Sequence, residues 1–225
     1  MFFVGINFFI IDRNISHTKF CLTIFNFNCN QFPSFSDAVN LTQNKYVIQS
    51  GFVFMKIITI AGTPSSGKTA VISHLARLFL QQGIRVASAK FDALASRDDH
   101  YFDTRVNIPA VKGLSNYICP DHYYVSNLEE VTTWARSIHA QIFFIETAGL
   151  CLRCAPHIDE IPAVCVMDHL SGIESPEKMG PMLDLADVVV VTKADMVSQA
   201  EKEVLVHRIR QINPNARIFR VNGLT

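Results

Sequence analysis

The sequence predicts an α/β domain: a mostly parallel sheet flanked by helices on both faces. Three observations predict it. From Met55 onward, apolar runs of strand length alternate with longer segments of helical spacing. The runs are continuously hydrophobic, as strands covered on both faces must be. The chemically distinctive motifs fall just after such runs, on loops leaving strand ends, where these sheets bind ligands.

Residues 56–61 are rich in isoleucine and read as a buried strand. Residues 68–82 carry Val71, Ile72, Leu75, Leu78 and Leu80 at helical spacing, with Gly83 as a stop. Residues 85–91 form a second strand. Ser126-Asn127-Leu128-Glu129 has a capping-box pattern and predicts a helix through about His139. Residues 141–147, 161–167 and 188–192 are three more buried strands. Ser198-Gln199-Ala200-Glu201 is a second capping box, opening a helix that ends before Pro214, and residues 217–221 form a last strand.

Residues 1–54 are different. They hold most of the phenylalanines, many asparagines and few charges, with no sustained period. The apolar run 1–11 is too short to span a bilayer and has no cleavage site after it. The segment reads either as an N-terminal extension or weak anchor, or as upstream sequence translated from a start set too early. Composition favours the second, with Met55 opening the domain. The chain stops at Thr225 right after a strand, so the 55–225 domain is expected to continue beyond it. Lys plus Arg and Asp plus Glu both number 20, so the net charge is zero. No basic field points to nucleic acid or an anionic membrane. Six cysteines in 225 residues do not make a disulfide scaffold, and their spacing suits metal or redox chemistry in a reducing, cytoplasmic compartment.

Gly62-Thr63-Pro64-Ser65-Ser66-Gly67-Lys68-Thr69 matches the G-x4-G-K-[ST] phosphate loop between a strand and a helix. Gly62 and Gly67 let backbone N–H groups turn toward phosphate oxygens, and the helix N-terminus adds its dipole. In such loops the lysine, here Lys68, reaches the β- and γ-phosphates, and the hydroxyl, here Thr69, ligates Mg²⁺. Asp92 and Glu146 end the second and third strands and would face the same crevice, to hold Mg²⁺ or orient the attacking water. Asp92 also suits a turn cap. Glu146 has no polar neighbour in its own run, which favours metal or water as its partner. Asp98, Asp99 and His100 read as a solvated face, with a switch role as the lesser alternative.

Thr192-Lys193-Ala194-Asp195 follows a run of valines and resembles the [NT]-K-x-D guanine motif. A buried carboxylate at Asp195 would accept from guanine N1–H and the 2-amino group and penalise adenine. Threonine stands where asparagine commonly braces the loop. Asn222 falls where a last base-contacting loop would lie.

Cys119-Pro120-Asp121-His122 and Cys151-Leu152-Arg153-Cys154-Ala155-Pro156-His157 form two potential ligand clusters. Thiolate with imidazole suits Zn²⁺, Ni²⁺ or Cu⁺ and disfavours Mg²⁺ and Ca²⁺. A redox dithiol at Cys151/Cys154, or small residues with an exposed histidine, are the alternatives. Cys165 lies inside a strand and reads as core.

These segments together resemble the HypB/UreG family, nickel-insertion GTPases that mature hydrogenase and urease, within the wider group that includes CobW. The resemblance rests on 62–69, Asp92, Cys119-Pro120-x-His122, Glu146-Thr147-Ala148-Gly149 and Thr192-Lys193-Ala194-Asp195, in that order. It implies a P-loop NTPase of the SIMIBI-like G-domain type, GTP/GDP and Mg²⁺ as ligands, slow intrinsic hydrolysis and a GTP-dependent homodimer. It also implies nickel or zinc handed to a client apo-metalloenzyme or accessory protein. The departures are Asp121 inserted into the family's Cys-Pro-His, Glu-Thr-Ala-Gly for Glu-Ser-Gly-Gly, the extra Cys151/Cys154/His157 cluster, and no histidine-rich N-terminal stretch. A divergent branch with a client other than urease or hydrogenase is therefore expected. Two other classes stand beside it: a P-loop kinase or ligase on a small molecule, and a non-catalytic regulator responding to GTP and metal.

Overall fold

A computed structural model describes residues 55–94, 96–149, 154 and 156–223. The expected N-terminal extension and Cys151 lie outside the described residues. The strands are β1 (Lys56–Gly62), β2 (Val86–Asp92), β3 (Ala110–Leu114), β4 (Ile142–Thr147), β5 (Ala163–Asp168), β6 (Val188–Thr192) and β7 (Arg217–Arg220). They form one sheet in the order β3-β2-β4-β1-β5-β6-β7. Every pairing within it is parallel. The helices are α1 (Lys68–Gln81), α2 (Asp98–Tyr101) running into a π-helical turn (Phe102–Val106), α3 (Pro120–Ser126), α4 (Leu128–Ser137), α5 (Ser175–Met179), α6 (Pro181–Asp184) and α7 (Gln199–Ile212).

Alternate residues of the central strands point to opposite faces. Ile142 and Phe144 of β4 join α1 residues Val71, Ile72, Leu75 and Phe79 in one cluster. Phe143 and Ile145 of the same strand pack the other way, against Phe91, Tyr124 and Trp134. In β6, Val188 and Val190 join the α1 side, whereas Val189 and Val191 meet Met179, Met182, Leu205 and Ile209. Both faces are covered, which is why the runs read as unbroken hydrophobic segments. Each fully buried side chain of this size contributes about 1.5–3 kcal/mol.

The predicted elements are present, with two kinds of difference. The Ser198 capping box forms: Glu201 N–H donates to Ser198 Oγ, and Ser198 N–H donates to Glu201. The Ser126 box does not form. Ser126 is the last residue of α3, and its hydroxyl donates to the His122 carbonyl at 3.1 Å. Residues in a helix bond backward to their own turn, so Ser126 cannot cap the next helix. Edge strand β3 and helices α2, α3, α5 and α6 were not predicted. All are short, and β3 carries a lysine and a glycine.

Asn213, buried beyond α7, ties the end of that helix to α6 and the turn before β6. Its Nδ2 donates to the carbonyls of Leu183, Asp184 and Ala186. Its Oδ1 accepts from the N–H groups of Asn215 and Ala216. Asn213→Ala leaves several of these buried groups unpaired. It is expected to destabilise the fold by about 2–4 kcal/mol, measured as a lower urea midpoint at unchanged m-value.

Candidate functional site

Strands β1, β4, β5 and β6 end side by side, and the phosphate loop sits over them. Its shape depends on backbone crowding. Gly62 has φ 148°, and a Cβ there would lie 1.9 Å from the Val166 carbonyl oxygen. Gly149 has φ 73°, and a Cβ there would lie 1.6 Å from the Gly62 carbonyl oxygen. Only glycine permits either approach. The loop after β4 is thereby pressed onto the phosphate loop.

Lys68 opens α1 and is buried. Its Nζ donates to the carbonyls of Gly62 (3.0 Å), Thr63 (2.9 Å) and Ala148 (3.4 Å). Burial pulls its pKa down to about 8, against the opposing pull of Glu146. An ammonium so placed is under-compensated, and a polyphosphate would supply the missing negative charge.

Glu146 is fully buried at the end of β4 and accepts from the Thr69 hydroxyl at 3.0 and 3.1 Å. The inference that it lacks a protein partner is corrected by Lys90. That lysine lies beside it in the β2–β4 register and is ion-paired with it. Lys90 Nζ also meets Asp98 of α2 at 3.1 Å. Burial disfavours the Lys90 charge, but Glu146 and Asp98 outweigh it and hold its pKa above the ordinary lysine value. Burial pushes the Glu146 carboxyl up, with Lys90 pulling it back. Lys90 was missed because its partner is 56 residues away. A lysine inside a buried run was the available signal. Asp98 therefore belongs to the site and is not merely a solvated face.

Asp92 ends β2 as expected, and its Oδ1 accepts from the Ala93 N–H at 2.8 Å, the turn-capping alternative. Thr69 and Glu146 are the hydroxyl and carboxylate that suit Mg²⁺, and they already touch.

On the base side, the Thr192 hydroxyl donates to the Ser66 carbonyl at 2.7 Å. The threonine thus braces the loop in place of the commoner asparagine. Lys193, at φ 56°, lays its ammonium on the Ser65 carbonyl (3.0 Å) and near Asp168 (3.4 Å). Asp195 lies in a short 3₁₀ turn and is exposed, not buried as expected; a bound base would have to cover it. Asn222 is half-buried with an unpartnered Oδ1.

Cys119 caps the N-terminus of α3, and His122 lies in its first turn. The ligand atoms of Cys119, His122 and Cys154 all fall within 4.8 Å of one another. Two thiols and an imidazole at this spacing fit a thiophilic transition ion. His157 is outside this group. Its Nε2 lies 3.0 Å from the Met182 carbonyl, and burial lowers its pKa. Its expected ligand role is corrected: residues 156–158 are not helical, so a three-residue spacing fixes no common face. Cys165 is core, its thiol pushed up to about 12 by burial.

The family model for the CobW/HypB/UreG nucleotide-binding domain matches residues 56–220. An uncharacterized protein of Methanocaldococcus jannaschii is 46% identical over 171 residues, covering 76% of this chain and 72% of that protein. The urease accessory protein UreG of Trichodesmium erythraeum is 30% identical, covering 61% of this chain and 68% of UreG. The fold is that of HypB from Helicobacter pylori, solved in complex with nickel: TM-score 0.59 at 18% identity, covering 76% of this chain and 80% of HypB. The chain therefore belongs to the CobW/HypB/UreG family of P-loop nucleotide-binding proteins.

Proposed function

We propose that this protein binds and hydrolyses GTP and couples its nucleotide state to a transition ion, nickel or zinc, delivered during metalloenzyme maturation. The observation that carries the reading is the Cys119/His122/Cys154 group, of which Cys154 follows β4 as does Gly149, the residue that rests on the phosphate loop. Nickel is included because a HypB in the same family is known with nickel bound. Guanine recognition falls to Asp195 and Lys193, with Asn222 in the last base-contacting loop.

In this reading Lys68 leaves the Gly62, Thr63 and Ala148 carbonyls for the β- and γ-phosphates. The N–H groups of 62–69 cradle the phosphates. Thr69, Glu146 and Asp92 hold Mg²⁺ directly or through water, and the ion would neutralise charge developing on the phosphates. Losing the γ-phosphate would remove its own hold on the loop that bears Cys154 and relax it.

Three protein ligands leave a fourth tetrahedral position. Tyr117 and Ile118 stand exposed immediately before Cys119. A second copy meeting this apolar rim across the ion gives the GTP-dependent homodimer, with a client apoprotein or accessory protein as the later acceptor. No helix among the described residues is long and apolar enough to cross a membrane. We place the protein in the cytoplasm, where thiols stay reduced.

Zn²⁺ and Ni²⁺ titrations of the full chain, with and without a non-hydrolysable GTP analogue, test the coupling. Tighter metal binding with the analogue is expected, and Cys119→Ser should weaken it at least about tenfold. Metal affinity indifferent to both nucleotide and Cys119 would sink the reading. Asp195→Asn should weaken GTP binding by about tenfold or more while leaving ATP binding unchanged, read by competition against a fluorescent nucleotide. Lys90→Met leaves Glu146 buried and unpaired. It should cost about 3–5 kcal/mol in urea unfolding, with much of that loss recovered in the Lys90→Met/Glu146→Gln double variant.

A further inference from the structure

Helix α3 carries a carboxylate that neither the phosphate loop nor the thiolate–imidazole group uses. Asp121 is 3% exposed, and both its oxygens are buried without a hydrogen-bond partner. The Thr147 hydroxyl faces it without completing a hydrogen bond and is itself buried and unpartnered. Buried polar groups normally find partners, and an orphaned pair of this kind points to an occupant.

Its surroundings say what that occupant is. Thr147 follows Glu146 at the end of β4, and Gly149, two residues on, rests on Gly62 and near Lys68. Lys68 lies near enough for its charge to act on Asp121. Thr147, and Asp121 with it, thus lies beside the loop whose Ala148 carbonyl accepts from Lys68. A carboxylate repels phosphate oxygens, so Asp121 must accept from a donor, and a water is the small donor that belongs there. The other carboxylates near the strand ends are engaged. Glu146 holds Thr69 and Lys90, and Asp92 bonds the Ala93 N–H. Asp98 pairs with Lys90, and Asp168 serves Ser171 N–H and Lys193.

We propose that Asp121, with Thr147, holds the water that attacks the γ-phosphate, and that ion binding at Cys119 and His122 sets its position. The inference rests on the GTPase reading above. The water oxygen bonds to the γ-phosphorus while the bond from that phosphorus to the β–γ bridging oxygen breaks. The bond's electron pair leaves with GDP, and the water's proton passes to an oxygen of the released phosphate. Asp121 orients the water by accepting its hydrogen bond. Cys119 and His122 flank Asp121 in the first turn of α3, so an ion gripping both fixes that turn.

The test uses the full chain and two near-isosteric variants, Asp121→Leu and Asp121→Asn. Four quantities are measured: affinity for a non-hydrolysable GTP analogue, Zn²⁺ affinity, melting temperature, and single-turnover GTP hydrolysis with Mg²⁺, with and without one equivalent of Zn²⁺. Asp121→Leu should bind analogue and Zn²⁺ within about threefold of wild type, melt at or above the wild-type temperature, and hydrolyse at least about tenfold slower. It should also lose the effect of Zn²⁺ on the rate, with Asp121→Asn intermediate. A merely structural Asp121 would instead lower the melting temperature in both variants along with the rate, and that result overturns the proposal. So does hydrolysis at the wild-type rate in Asp121→Leu, or wild-type protein that binds the analogue but never turns GTP over. Failure of the wild type to bind the analogue at all is a different result, which removes the GTPase reading itself.

Discussion

Glu146 is the charge around which the site is organised. It ends the strand that lies between β1 and β2, so its two oxygens meet α1 on one side and β2 on the other. A fully buried carboxylate is tolerable only when its lone pairs are met. Thr69 and Lys90 meet them, and Lys90 extends the link to Asp98 at the start of α2. Whatever draws the Thr69 hydroxyl or Glu146 toward a cation therefore disturbs the Lys90 pair and, through it, the segment that follows β2. The π-helical turn after α2 is a geometry often found at functional positions.

The second constraint is steric. Val166, Gly62 and Gly149 stack backbone against backbone, with no room for a side chain at either glycine. Packed interfaces of this kind shift between discrete arrangements more readily than they stretch. The loop carrying Cys154 begins at this stack. Thr192 fixes the phosphate loop from the opposite side through the Ser66 carbonyl, so the base-side strand and the β4 loop grip the same turn.

The parts legible in the sequence were those set by local rules. The phosphate loop shows because its glycines, lysine and hydroxyl answer to one backbone turn. The buried strands show because covering both faces demands unbroken apolar runs, and the Ser198 cap shows because its bonds span three residues. What escaped depends on distance in sequence or on direction in space. Lys90 looks like an interruption of β2 until the parallel register puts it beside Glu146. Ser126 satisfies a capping pattern, yet α3 claims it first. His157 has the residue type of a ligand, but its imidazole turns to the Met182 carbonyl. Asp121, read from the sequence as an insertion in a metal-binding tripeptide, becomes informative only once its burial and lack of partners are visible.

Coupling between two ligands requires an element that each one holds differently. Lys68 is such an element. Its ammonium is spread over three carbonyls, one of which, Ala148, belongs to the β4 loop. In the proposed cycle a phosphate that recruits Lys68 takes it from Ala148 and replaces it as the hold on this loop, while the contact of Gly149 with Gly62 persists. Cys154 lies six residues after Ala148, close to Cys119 and His122. An ion that draws the three ligands together restrains the same loop from its far end. In the proposed cycle each ligand would thus act on the loop that the other uses, and reciprocity would follow without any contact between nucleotide and ion.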